Sequence, residues 1–149
     1  QTALERGFEQ VCFLDAATGT NLEELGGMNV FVVGADGVVR TPALTGSILE
    51  GVTRSSILTL LAADGVPVEE SDIPLRGLLA GIADGSVREV FACGTAAVIT
   101  PIGRLAGETF DVTVADGGPG ALTQRLYEQL TDIQYGRTED KHGWVTRLV

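Results

Sequence analysis

The chain has 149 residues, of which 44% are hydrophobic and 20% charged, with a formal net charge of −10. That length suits one domain able to bury ~70% of its unfolded surface, and the apolar share excludes a disordered chain. A surface this acidic repels nucleic acid and anionic membranes, and no apolar run reaches the ~18 residues of a spanning helix, so the expectation is a soluble, cytoplasmic protein. Cys12 and Cys93 both lie inside apolar runs, which predicts buried free thiols rather than a disulfide.

In chain order, Gln1–Gly7 has the pattern of the last turns of a helix, with Gly7 as its left-handed stop. A domain seldom starts inside a helix, so the chain is expected to be part of a longer one. Glu9–Asp15 predicts a buried strand, 17–21 a turn and Leu22–Leu25 a second strand, with Gly26-Gly27 allowing a close backbone approach. Asn29–Val33 and Val38–Thr41 predict a hairpin around 34–37. A loop holds Thr45-Gly46-Ser47. From Val52 the spacing of Ile57, Leu58, Leu60 and Leu61 predicts a helix stopped by Gly65. A short strand over Val66–Glu69, a helix over Leu75–Ala83 and a strand over Glu89–Cys93 follow. Gly94-Thr95-Ala96 is a small-residue turn before a strand over Ala97–Ile102, with an edge strand near Arg104-Leu105. Gly117–Gly120 is a loop, Ala121–Ile133 the last helix, and the tail from Gln134 is polar. Intermixed strands and helices give an α/β or mixed α+β class.

Three places carry candidate chemistry. Glu23 and Glu24 are neighbours on a strand and face opposite sides, so only one can enter a given pocket; a carboxylate there suits a protonated ring nitrogen, or both are surface charges. The helix start at Gly51-Val52-Thr53 offers free N–H groups to an anion, or Thr53 is an ordinary residue near a helix cap. The Gly94-Thr95-Ala96 turn can aim N–H groups at an anion, or is only a tight strand connection. No residues have metal-ligand spacing, no nucleophile elbow is visible, and His142 in its polar tail is expected to be solvated.

The run from Glu24 to Arg54 resembles the class-IV aminotransferase signature: Glu24, a small residue at Gly26, Asn29, the pair Val30-Phe31, then Val39 and Thr41, and after a loop Leu49, Gly51, Val52 and Arg54. The resemblance implies pyridoxal 5′-phosphate as cofactor. Glu24 would face its ring nitrogen, Leu49 would pack on the ring, and Val52 and Thr53 would hold the phosphate, while Arg54 is expected to form a salt bridge. Thr95 would reach the phosphate, and Thr95 and Ala96 would receive the substrate carboxylate. LEELGGMNVFVV (22–33), GSILEGVTRSSILTL (46–60), REVFACGTAAVITPI (88–102) and GGPGALTQRLYEQLTDIQYG (117–136) narrow the resemblance to branched-chain aminotransferases. These imply a twisted-sheet, pseudo-barrel large domain, a homodimer, and amino transfer from Leu, Ile or Val to 2-oxoglutarate. Some members carry Cys-x-x-Cys after the Gly-Thr-Ala turn. This chain has Ala97 and Thr100 there, so no thiol switch is expected and Cys93 should be a core residue.

The family's reaction needs a lysine that binds the cofactor covalently and carries the proton, placed upstream of the first strand. The chain's one lysine, Lys141, is in the tail. The resemblance therefore implies the C-terminal large domain (residues 1–149) of a longer enzyme, with no catalytic residue of its own and inactive alone. Other class-IV enzymes, such as a D-amino-acid aminotransferase or an aminodeoxychorismate lyase, share the Glu24–Arg54 pattern. A non-catalytic truncated paralogue is the alternative of a different kind.

Overall fold

The computed structural model describes residues 3–148. Its trunk is β3 (Met28–Gly34), where every position from Asn29 onward is buried; a run of branched and aromatic side chains fits a strand covered on both faces. One edge of β3 pairs antiparallel with β6 (Val87–Gly94), from Asn29↔Cys93 to Gly34↔Val87. The other edge is shared. β2 (Leu22–Leu25) pairs at Met28 and Asn29, and β4 (Val39–Thr41) pairs at Val32 and Val33. Between those two partners the buried Thr41 hydroxyl donates to the Val30 carbonyl at 2.8 Å, so the backbone there keeps a partner.

The rest of the seven-stranded sheet builds outward from this trunk. β1 (Cys12–Leu14) pairs with β2, β5 (Val68–Glu70) runs parallel to β4, and β7 (Val98–Pro101) returns along β6. β8 (Arg104–Ala106) and β9 (Asp111–Thr113) form a separate two-stranded ribbon.

Strand alternation sorts the side chains into two cores. Phe31, Val33, Phe91, Cys93 and Ile99 pack under α1 (Val52–Ala63) and α3 (Ala121–Gln134), meeting Ile57, Leu61, Leu126 and Leu130. Phe31 and Phe91 are directly opposite and stack at 5.0 Å between ring centroids, an offset aromatic pair in the centre of that core. Val30, Val32, Val90 and Ala92 face the other way, toward Leu78 of α2 (Leu75–Asp84).

The elements follow the expected order, with four differences. The first strand is shorter than Glu9–Asp15 and is not buried: β1 has one neighbour, and Phe13 stays 52% exposed. The fifth strand, β5, begins later than Val66, because Val66 donates to Leu61 O and closes the end of α1. β9 went unseen in the sequence because so short a strand carries too little alternation to register. The N-terminal helix is a single 3-10 turn at Leu4–Arg6 ending on left-handed Gly7 (φ +78°); Gln1 and Thr2 lie outside the described residues. Cys93 is buried, whereas Cys12 is half-buried, and both are free thiols.

α3 has its N-terminal N–H groups satisfied from within. The Glu89 carboxylate on β6 accepts from the N–H groups of Leu122 (3.0 Å) and Thr123 (2.8 Å) and from the Thr123 hydroxyl (2.7 Å). A β-carbon at Gly120 would overlap Glu89, which is why the helix starts after glycine. Glu89→Ala is expected to cost about 1–2 kcal/mol, the range for a lost cap. In thermal unfolding this appears as a Tm lower by about 3–6 °C for a chain of this size.

Candidate functional site

Glu24 pairs with Asn29, and Asn29 pairs with Cys93. Residues directly opposite across a sheet share a face, so all three point to the side covered by α1 and α3. Glu23 points away and accepts from the Ser47 hydroxyl at 2.6 Å. Of the two neighbouring glutamates, Glu24 is therefore the one facing the start of α1. It is half-buried, and its Oε2 is buried with no hydrogen-bond partner among the described residues. A buried acceptor without a donor is costly, and native proteins rarely leave one without reason.

The start of α1 is brought to the same row. Asn29 Nδ2 donates to the Leu49 carbonyl at 2.8 Å. Gly51 precedes the helix at φ +70° and ψ 112°, with no side-chain cap, and a β-carbon there would overlap Asn29 Oδ1. The first intrahelical donor at this end is Ser55 N–H, to Gly51 O, so the N–H groups of Val52 and Thr53 face outward as helix starts do. Unlike α3, α1 has no carboxylate on these groups among the described residues. An uncapped start of a three-turn helix is suited to an anion.

Side chains at this end are open. Leu49 is 65% exposed and Val52 83% exposed, and Thr53 is half-buried. Gly51 and Val52 line a cleft of about 710 Å³ together with Leu130, Ile133 and Trp144, and Glu24, Leu49, Thr53, Thr95 and Ala96 lie outside its lining. Arg54 points into the fold: it is buried, donating to the Glu70 carboxylate at 2.6 Å and to the Pro42 carbonyl at 3.1 Å. It is the salt-bridging residue expected from sequence.

Thr95 and Ala96 occupy the corner between β6 and β7, and both are exposed. Gly94, just before them, lies against Met28, next to the Gly26-Gly27 turn that follows Glu24. The corner therefore shares an end of the sheet with Glu24 and the start of α1. Val98 closes it at φ +58°, a conformation strained for a β-branched residue.

Lys141 is elsewhere. It lines a separate cleft with Leu60, Ala63 and Asp64, at the C-terminal end of α1 and so about 18 Å along the helix from Val52. His142, expected to be solvated, is half-buried and stacks on Trp144 at 4.4 Å. The tail is ordered there because the Asp140 carboxylate accepts from the N–H groups of His142 and Val145. Among the described residues no group of histidine, cysteine and acidic side chains has the arrangement of a metal site, and no helix is long and apolar enough to cross a membrane.

A family model for amino-transferase class IV matches residues 1–105. The chain belongs to the class-IV aminotransferase family. It is 47% identical over 98% of its length to the branched-chain-amino-acid aminotransferase of Mycobacterium tuberculosis. It spans about 40% of the length of that relative and of a similar one from Streptomyces coelicolor. Its fold superposes on the crystal structure of the Escherichia coli branched-chain amino acid aminotransferase with a TM-score of 0.83 at 33% identity, over 98% of this chain and 44% of that one. A T.th. branched-chain amino acid aminotransferase solved with pyridoxamine 5′-phosphate matches with a TM-score of 0.82 at 27% identity, again over 98% and 44%. The mixed fold, with its largely antiparallel sheet and three helices, is that of this class.

The residues present fit a cofactor with a basic ring nitrogen and a phosphate: a buried carboxylate oxygen without a donor at one end, and an uncapped helix start at the other. Sequence reasoning missed the amide clamp between Asn29 and Leu49. Asn29 stands in the family pattern, but nothing in its neighbours says that it reaches a carbonyl in a distant loop.

Burial pushes the Cys93 thiol up to about 12, against a small opposing pull from Arg54, and the Cys12 thiol up to about 11. Both thiols therefore stay protonated at neutral pH, and thiolate is the reactive form. Iodoacetamide at about pH 8 should leave the folded chain unmodified and label both cysteines once it is unfolded, read by intact mass. Because the folded pKa values lie above the unfolded ~8.5, the stabilising contribution is complete below about pH 8 and is lost as pH rises toward them. Denaturation midpoints should fall in that alkaline range.

Proposed function

We propose that this chain is the C-terminal, cofactor-binding large domain of a pyridoxal-phosphate aminotransferase, which transfers the amino group of Leu, Ile or Val to 2-oxoglutarate and works as a homodimer. The observation that carries the reading is the donorless buried oxygen of Glu24, on the same sheet face as the uncapped start of α1. The branched-chain aminotransferases to which the chain is similar support the substrate class.

When bound, the cofactor supplies an electron sink for the bond broken at the amino acid's α-carbon. Glu24 holds a proton on the ring nitrogen, because a carboxylate accepting from that N–H favours its charged form. Val52 and Thr53 N–H groups, with the Thr53 hydroxyl, bind the phosphate, and Leu49 packs on the ring. Thr95 adds its hydroxyl to the phosphate, and the Thr95 and Ala96 N–H groups orient the substrate carboxylate, acting at close quarters where bulk repulsion from the acidic surface is outweighed.

A second reading, a cofactor-binding module without turnover, is favoured by the position of Lys141, which sits at the wrong end of α1 to reach the ring. The two separate by assay. Pyridoxamine 5′-phosphate needs no lysine to bind, and Trp144, the chain's one tryptophan, lines the cleft beside Gly51 and Val52. Titration followed by Trp144 fluorescence should show binding. Glu24→Gln should weaken it about tenfold to a hundredfold, the worth of a charge-assisted hydrogen bond. The 149-residue chain alone should give no turnover with L-Leu and 2-oxoglutarate. The polypeptide that carries it together with a cofactor-reactive lysine should turn over L-Leu in preference to D-Ala or aminodeoxychorismate. Wild-type affinity in Glu24→Gln would remove the basis of the proposal.

A further inference from the structure

We infer that Asn29 is a positioning residue that sets the two ends of the cofactor grip at a fixed separation. The inference rests on the cofactor reading above. Asn29 is the cross-strand partner of Glu24, so its backbone is locked in register with the carboxylate end of the site. Its side chain is buried and spans to the other end, where Nδ2 donates to the Leu49 carbonyl at 2.8 Å and Oδ1 lies where a Gly51 side chain would begin. One amide thus touches both the residue that packs on the ring and the residue that starts the phosphate-binding helix.

The loop from Pro42 to Gly51 has its other ties before Leu49. Arg54 holds its beginning through the Pro42 carbonyl, Ser47 is held by Glu23 and Ile48 is buried, whereas Leu49 and Val52 are exposed. Without the Asn29 amide, the Leu49 carbonyl would lose its side-chain hydrogen bond to the sheet, leaving the Ser47–Glu23 bond, the buried Ile48 and the body of the helix to place the start of α1. Gly51 is the second half of the same device. Its positive φ and the overlap that any β-carbon would make with Asn29 Oδ1 both require glycine. The helix start therefore packs directly on the asparagine.

The test uses Asn29→Ala and Gly51→Ala in the polypeptide that carries this chain, with two readouts. In cofactor-free protein, hydrogen–deuterium exchange of peptides covering 47–55 should quicken in Asn29→Ala while exchange in α3 stays unchanged. With pyridoxamine 5′-phosphate as the probe, affinity measured well below the unfolding transition should fall about tenfold or more in each variant, the scale of one lost positioning hydrogen bond. A residue that only stabilises the fold would lower Tm and leave the affinity of the folded molecules intact. Gly51→Ala should weaken binding by a smaller factor on the Asn29→Ala background than on the wild type, since the overlapping oxygen is gone.

Unchanged exchange in 47–55 together with wild-type affinity in Asn29→Ala would overturn the inference. If the parent protein fails to bind the probe while exchange in 47–55 still responds to Asn29→Ala, the cofactor reading falls and with it the claim that the clamp serves a cofactor.

Discussion

The pairing of β3 with β6 is the constraint on which the rest of the structure depends. Their register from Asn29↔Cys93 to Gly34↔Val87 and the Phe31–Phe91 stack fix two strands against each other, and every other element is placed relative to that pair. Register matters here because a one-residue slip of β3 against β6 would turn Asn29 and Phe31 to the α2 face and send Val30 and Val32 into the α1–α3 core. The Glu24 carboxylate is placed by the same register, one strand further out. The site is thus set by the sheet, and its helical end is brought to it.

Much of this was legible in the sequence, for reasons particular to each element. α1 showed itself through Ile57, Leu60 and Leu61, which recur at helical spacing and are the residues that reach the core. The β3–β4 hairpin showed itself through Gly34–Gly37 between two runs of valine. Strand alternation said that Glu23 and Glu24 cannot share a side, while the choice of Glu24 came from the resemblance; the structure does put the two on different sides. Other features were not legible because they are made by distant residues. The Glu89 carboxylate reaches across a long stretch of chain to start α3. His142 was expected to be solvated because its stretch is polar, yet Asp140 ties that stretch down and His142 is half-buried on Trp144. β1 was expected to be buried because hydrophobicity cannot tell a central strand from an edge.

The two helices over the Phe31–Phe91 core treat their N-termini in opposite ways. At α3 the fold supplies its own carboxylate, tightly enough that only glycine fits beside it. At α1 it supplies glycine and, among the described residues, no capping charge. The same dipole physics acts at both ends, so the difference lies in what the sheet offers opposite each start: Glu89 in one case, Asn29 in the other. An amide there holds the backbone in place without occupying the donors an anion needs.

The left-handed valine at the β6–β7 corner carries a consequence for how that corner came to be shaped. Val98 gains nothing locally from φ +58°, so the conformation is imposed by its surroundings: β7 is held against β6, Ile99 is committed to the core, and Gly94 rests on Met28. The Thr95-Ala96 corner is therefore a property of the assembled sheet and not of its own sequence. Cut out as a peptide, residues 88–102 would relax into an ordinary hairpin turn and lose the corner that the assembled sheet imposes.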